Sequence, residues 1–186
     1  MVLTRFRQSI RPAADRLGRA LGAVLPYPTA WTAFGAVLAA LAGLAYYRGS
    51  ALTAGLLILV SGFMDVVDGA VARSTGKVSL RGGFIDSNLD RLGEVFLFAG
   101  IAGSGLMDPV LPLLALSFSL LVSYSRARAE GLGLKAEGVG VGERAERLLA
   151  LAIASVVDLT LYGVLLVFAL ALVTFVQRLW AYYSQL

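Results

Sequence analysis

The chain has 186 residues, of which 58% are apolar and 15% charged, and its mean hydropathy is +0.79. A water-soluble domain of this size cannot hide so much apolar surface, which excludes an ordinary cytosolic enzyme, a disordered chain and a secreted disulfide scaffold. The net charge is +4, and the chain has no Cys and no His, so thiolate, imidazole, disulfide and Cys/His zinc chemistry are excluded; a metal must be held by oxygen, and a general base must be a carboxylate, Lys or Tyr.

Residues 1–25 carry Arg5, Arg7, Arg11, Arg16 and Arg19 against Asp15. Leu3, Phe6, Ile10, Leu17 and Leu21 recur at helical spacing, which predicts an amphipathic juxtamembrane helix on the membrane surface, interrupted near Pro12. Residues 26–186 form the second region. One span needs ~20 apolar residues, so six spans would use ~120. The apolar runs place them at about 29–47, 52–73, 83–104, 109–129, 143–157 and 160–182. The expected fold class is therefore an all-α polytopic membrane protein, with six transmembrane helices and an N-terminal amphipathic surface helix. Arg73, Lys77 and Arg81 follow the second span, and Arg126, Arg128, Lys135, Arg144 and Arg147 follow the fourth or open the fifth. By the positive-inside rule, both termini and these loops face the cytoplasm. Trp31, Tyr46, Tyr47, Trp180, Tyr182 and Tyr183 fall near span ends, as an aromatic belt would. Asp108 and Asp158 read as helix caps at the outer turns.

Four carboxylates, Asp65, Asp68, Asp86 and Asp90, lie at or inside the cytoplasmic ends of the second and third spans. An ionised carboxylate there costs several kcal/mol unless paired, solvated or metal-bound. Asp65 and Asp68 are roughly 60° apart around a helix axis, and Asp86 and Asp90 roughly 40°. Each pair therefore points from one face, and on antiparallel neighbouring helices the two pairs converge on one cavity. A divalent cation, or two, would relieve their mutual repulsion. Gly69 and Ala72 keep the same face of the second span open to a phosphate-bearing group, Arg73 offers it a planar cation, and Gly82 opens the third span. Glu94 is expected to pair with Arg91.

The stretch Asp65-x2-Asp68-Gly69-x2-Ala72-Arg73-x8-Gly82-x3-Asp86-x3-Asp90 resembles the signature of the CDP-alcohol phosphotransferase family, with every signature position filled. The resemblance implies transfer of the phosphatidyl part of a CDP-linked lipid to an alcohol, with release of CMP. It implies a homodimer of six-helix protomers and two magnesium or manganese ions per protomer. Asp65, Asp68, Asp86 and Asp90 would be the metal ligands, with Asp90 also the general base. Asp68, Gly69, Ala72, Arg73 and Gly82 would bind the CDP-lipid. The family's Pro-Asn-x-x-Thr sequence reads Pro28-Thr29-Ala30-Trp31-Thr32 here, so Thr29 and Thr32 read as helix caps.

Arg126, Lys135 and Arg144 suit a phosphomonoester dianion better than a neutral alcohol. Arg126/Glu130 and Glu143/Arg147 are also spaced to pair along a helix. The runs Arg126-Ala127-Arg128-Ala129-Glu130 and Glu143-Arg144-Ala145-Glu146-Arg147 resemble the branch of the family that uses inositol phosphate, the phosphatidylinositol phosphate and archaetidylinositol phosphate synthases. That branch implies CDP-diacylglycerol or CDP-archaeol as donor and 1L-myo-inositol 1-phosphate as acceptor, its phosphate held by Arg126, Lys135 and Arg144. Glycerol 3-phosphate is the alternative acceptor. A small cation transporter is the reading from another class, disfavoured because the acids cluster toward one membrane face. No nucleic-acid partner is expected.

Overall fold

The computed structural model describes the backbone of residues 2–136 and 138–186 and, within those ranges, side chains from Pro12 onward. Among the described residues all regular structure is helical: α1 Val2–Val24, α2 Pro28–Tyr47, α3 Ala51–Ser74, α4 Leu80–Gly103, α5 Val110–Gly131, α6 Arg144–Val156 and α7 Thr160–Tyr183. Each expected span corresponds to one of α2–α7. Among the described residues, α2, α3, α5 and α7 are long and apolar enough to cross a membrane by length and composition. Helix α4 carries Arg81, Asp86, Asp90, Arg91 and Glu94. With 13 residues, α6 is ~20 Å long, short of a ~30 Å hydrocarbon core.

Helix α2 packs on α3 and α4, α4 on α5, α5 on α7, α7 on α6, and α6 on α3, so the pairings close a ring. This corrects the expectation that the two acid-bearing helices pack as neighbours: α3 and α4 form no close pair with each other, and both lean on α2. Small residues explain the arrangement. A Cβ on Gly100 would fall on the Gly43 backbone, so α4 and α2 cross with their main chains in contact. A Cβ on Gly55 would sit 2.8 Å from the Ala152 carbonyl oxygen, which marks the same kind of approach between α3 and α6. Gly100→Leu should force α2 and α4 apart and destabilise the protein by at least ~1–3 kcal/mol, read as a lowered melting temperature in detergent.

The main core lies inside the ring and includes Tyr46, Leu97, Phe98, Ile101, Leu151 and Val164. Tyr46 is fully buried and its hydroxyl bonds to that of Ser155, tying α2 to α6. Tyr182 is also buried, and its hydroxyl donates to the Ala136 carbonyl. Neither belongs to an outer aromatic belt, because each has an interior partner for its hydroxyl. Tyr47, Trp180 and Tyr183 are exposed, as a belt requires.

Helix α1 runs through Pro12 without a break, against expectation. The expected face residues Leu3, Phe6 and Ile10, and also Arg5, Arg7 and Arg11, lie outside the described side chains. Leu17 and Leu21 pack against Leu38, Met64, Val67 and Val71, so this part of the face is spent inside the protein. Gly18 brings α1 onto the Ala70 backbone. Asp108 accepts from the Val110 amide at 2.8 Å but lies one residue ahead of the N-cap of α5, Pro109. Asp158 is no cap: Leu159 starts α7 without a side-chain bond, and Asp158 takes a left-handed turn at φ 61°.

Candidate active site

A cavity of about 810 Å³ opens between α3, α4, α5, α6 and α7. Its lining includes Asp65, Asp86 and Asp90 together with Arg126, Arg144, Arg147 and Arg178; Gly69 and Arg73 reach it from α3. The gap between α3 and α4 is what lets their acids face a space rather than each other.

The carboxylates are held by different neighbours. Asp68 is buried behind the cavity wall, where its Oδ2 accepts from the Thr32 hydroxyl at 2.7 Å. Thr32 is itself buried, and its hydroxyl oxygen lies 3.2 Å from the Pro28 carbonyl, a longer alternative acceptor. Tyr27 is the N-cap of α2 and makes no side-chain bond, so Thr29 and Thr32 are not caps. Asp65 Oδ2 lies 2.7 Å, and Asp90 Oδ2 2.9 Å, from the same atom, Arg144 Nη1. Arg144 Nε donates to Glu94 Oε1 at 3.0 Å. Arg91 is 3.5 Å from Asp90 and donates to the Ser87 carbonyl. The expected Glu94–Arg91 pair therefore does not form. Glu94 is 2% exposed and faces Arg144 and, at 3.9 Å, Arg147. It points into the ring, where no solvent can balance its charge, and Arg91 stays at the cavity.

The residues expected to bind the nucleotide lipid are only partly brought together. Gly69 and Arg73 reach the cavity, whereas Asp68, Ala72 and Gly82 are not among its lining residues. The Gly82 amide donates to Ser79 Oγ, which caps α4. Arg73 pairs with Asp15 of α1 at 3.0 Å, both half-exposed.

The expected acceptor residues also separate. Arg126 lines the cavity and pairs with Glu130 at 2.8 Å. Arg144 lines it but is held by carboxylates. Lys135 is exposed and lies outside the lining; its backbone bonds to the Gln185 side chain. Arg128 is exposed. Arg147 does not pair with Glu143; it is buried and donates to the Gly142 carbonyl at 2.7 Å.

Residues Val139 to Gly142, with Gly140 at positive φ, are pinned along one side of α7. Thr174 accepts from the Gly142 amide at 2.9 Å, Gln177 from the Val141 amide at 3.1 Å, and Arg178 donates to the Val139 carbonyl at 3.0 Å. A Cβ on Gly140 would collide with the Thr174 side chain. Glu146 then closes the first turn of α6 by accepting from the Glu143 amide at 3.0 Å. Arg144 thus enters the cavity from a braced helix start.

Sequence reasoning missed Arg178 as part of this site and gave Thr32, Glu94 and Arg147 other partners. Arg178 had a signal: it is the one charged residue in α7, and a lone cation in an apolar span marks function or pairing. The other three depend on partners 36, 50 and 53 positions away, which no local spacing displays.

Among the described residues, no three acidic side chains close around a point as they would around an ion. The donor set nevertheless suits a hard cation. Oxygens of Asp65 and Asp90 converge on one guanidinium nitrogen, so a cation in its place would meet two donors. Asp86 lines the same cavity, and Asp68 lies within electrostatic reach of both Asp65 and Asp86.

A family model described as CDP-alcohol phosphatidyltransferase matches residues 25–177. An archaetidylinositol phosphate synthase from Pyrococcus horikoshii is 38% identical over 179 residues, covering 96% of this chain and 95% of the relative. One from Methanothermobacter thermautotrophicus is 37% identical over 184 residues, covering 96% and 92%. Among solved structures, the phosphatidylinositol phosphate synthase of Mycobacterium tuberculosis with CDP-DAG bound superposes with a TM-score of 0.81 at 25% identity, covering 91% of this chain and 93% of that one. The same enzyme in complex with manganese and citrate gives a TM-score of 0.82 at 26% identity, covering 91% and 88%.

Proposed function

The chain belongs to the CDP-alcohol phosphatidyltransferase family, and from that premise we propose that it transfers the phosphatidyl or archaetidyl group of a CDP-linked lipid to 1L-myo-inositol 1-phosphate, releasing CMP. The observation that carries the choice of an alcohol phosphate over a neutral alcohol is the cavity itself, lined by Arg126, Arg144 and Arg178 together with the acids of α3 and α4. A phosphomonoester dianion needs such a set of cations, and a neutral alcohol does not. The relatives named for inositol phosphate products, which match nearly the whole chain, support the same choice.

In this reading Asp65, Asp68, Asp86 and Asp90 hold two magnesium or manganese ions. Bound there, such ions neutralise the diphosphate and stabilise the departing CMP. Gly69 leaves room on α3 for the nucleotide and Arg73 pairs with a phosphate in place of Asp15, whereas Ala72 and Gly82, outside the cavity lining, are assigned to the CDP-lipid by the family signature alone. Arg126 and Arg144 seat the acceptor's phosphate, and Arg178, held by the Val139 and Val122 carbonyls, adds its charge from the cavity wall. Lys135, on the exposed loop, joins that seat only by a movement of its side chain. The acceptor's hydroxyl oxygen attacks the lipid-side phosphorus, and its proton passes to Asp90. The bond from that phosphorus to the bridging oxygen breaks, and the electron pair leaves with CMP.

Four membrane-length apolar helices make the chain an integral membrane protein. The proposed orientation, with site and termini toward the cytoplasm, rests on the clustering of Lys and Arg in the loops after α3 and α5. The homodimer is proposed from the family resemblance alone.

Purified protein in lipid, given magnesium and CDP-lipid, should release CMP with inositol 1-phosphate and not with glycerol 3-phosphate. Release with glycerol 3-phosphate alone would overturn the acceptor assignment and keep the chemistry. Thr32→Val removes the donor that orients Asp68 and should weaken manganese binding ~10-fold, as loss of a partner behind a metal ligand does. A manganese titration monitored by electron paramagnetic resonance checks it.

A further inference from the structure

Arg144 takes up oxygens that a metal would need. Its Nη1 lies 2.7 Å from Asp65 Oδ2 and 2.9 Å from Asp90 Oδ2, while its Nε stays on Glu94 Oε1 at 3.0 Å. A guanidinium and a divalent cation cannot share the same two oxygens, because two positive charges would meet there with little water between them. The two ends of this guanidinium differ. Asp65 and Asp90 line the cavity, whereas Glu94 lies behind it, 2% exposed, facing Arg147 as well. A cation arriving from the cavity therefore competes for Nη1 and leaves the Nε contact in place.

We propose that Arg144 is an exchangeable counterion tethered by Glu94. It neutralises Asp65 and Asp90 before metal binds, and it is turned over to the acceptor's phosphate once metal takes those oxygens. Glu94 is the positioning residue that keeps the released guanidinium in the cavity beside Arg126. Metal loading and acceptor binding are then linked, and each tightens the other by the same factor. The order follows from charge. With Arg144 on the acids, the phosphate would meet a guanidinium already paired and two carboxylates that repel it. With metal on the acids, it meets a guanidinium whose Nη1 is free while Nε stays on Glu94. The idea rests on the acid cluster being the metal site and does not depend on which alcohol phosphate is the substrate.

The test is a manganese titration of the full-length protein in detergent without CDP-lipid. Electron paramagnetic resonance of free Mn2+ is the readout, and wild type, Arg144→Gln, Arg144→Lys, Glu94→Gln and the Arg144→Gln/Glu94→Gln pair are compared. Removing the competitor should tighten binding in Arg144→Gln by roughly fivefold or more, within the range of ordinary coupling between sites. Arg144→Lys keeps a competing charge and should stay near wild type. Glu94→Gln leaves Arg144 wholly to Asp65 and Asp90 and should weaken binding, and the double variant should match Arg144→Gln, because Glu94 acts through Arg144. Inositol 1-phosphate should tighten manganese binding in wild type and lose that effect in Arg144→Gln. Weaker manganese binding in Arg144→Gln would overturn the exchange. An equal Glu94→Gln effect with and without Arg144 would overturn the tether. Undiminished coupling in Arg144→Gln would assign the linkage to the charge of the ion alone. A wrong acceptor would show instead in the CMP assay and leave the manganese series intact.

Discussion

Asp90→Asn is expected to lower CMP release by ~10²–10⁴-fold, the usual worth of a positioned base, while CDP-lipid binding stays close to wild type. The substitution keeps the shape of the side chain and removes its ability to take a proton. The environment of Asp90 makes the effect specific. It lines the cavity, and its Oδ2 faces Arg144 Nη1 at 2.9 Å and Arg91 at 3.5 Å. Its neighbours can therefore hold the carboxylate in place but cannot replace it as a base, because a guanidinium stays protonated. The chain has no His to rescue the reaction. Single-turnover CMP release beside equilibrium binding of a CDP-lipid analogue separates the two steps. Near-normal turnover in Asp90→Asn would remove the base assignment.

Arg147→Ala is expected to give the largest loss of stability among the charged residues of the site, about 3 kcal/mol, at the low end of the cost of breaking a buried ion pair. Arg147 is 1% exposed, and its partner Glu94 is 2% exposed. The pair is long, 3.9 Å, and Arg147 Nη2 has no hydrogen-bond partner. Arg147 Nη1 donates to the Gly142 carbonyl at 2.7 Å, so truncation also releases the end of the loop before α6. Glu94 keeps Arg144, which holds the cost below that of a fully orphaned acid. For a chain of this length the melting temperature should fall roughly 6–12 °C, at ~2–4 °C per kcal/mol. A drop within a degree or two would mean that the pair contributes nothing net to stability.

The helices were legible because their cause is local. A run of apolar residues long enough to cross a bilayer marks α2, α3, α5 and α7 by composition, and Asp65/Asp68 and Asp86/Asp90 share faces through helical periodicity alone. The CDP-alcohol signature is likewise contained in one stretch, from Asp65 to Asp90. The partnership of α3 and α4 was misjudged because a short loop says that two helices are joined, not that they pack. The approach of Gly43 to Gly100 and of Gly55 to Ala152 decided the neighbours instead. Glu94 was assigned to Arg91 because they are three apart, yet burial left it with Arg144 and Arg147.

The residue types at each position, with their spacing along the chain, were enough to point to a helical membrane protein, to limit any metal to oxygen donors and to single out the arginines proposed to meet phosphate. Those conclusions follow from hydropathy, charge and helical period, which are properties of neighbours in sequence. Which charges meet was decided only in three dimensions. Thr32 reaches Asp68 across α2 and α3, Arg144 bridges Asp65, Asp90 and Glu94, and Arg178 of α7 enters a cavity whose acids lie on α3 and α4. The reason is physical: a charge taken out of water must find its partner wherever packing brings one within reach, and packing here is set by backbone-to-backbone crossings at glycines far from the charges themselves.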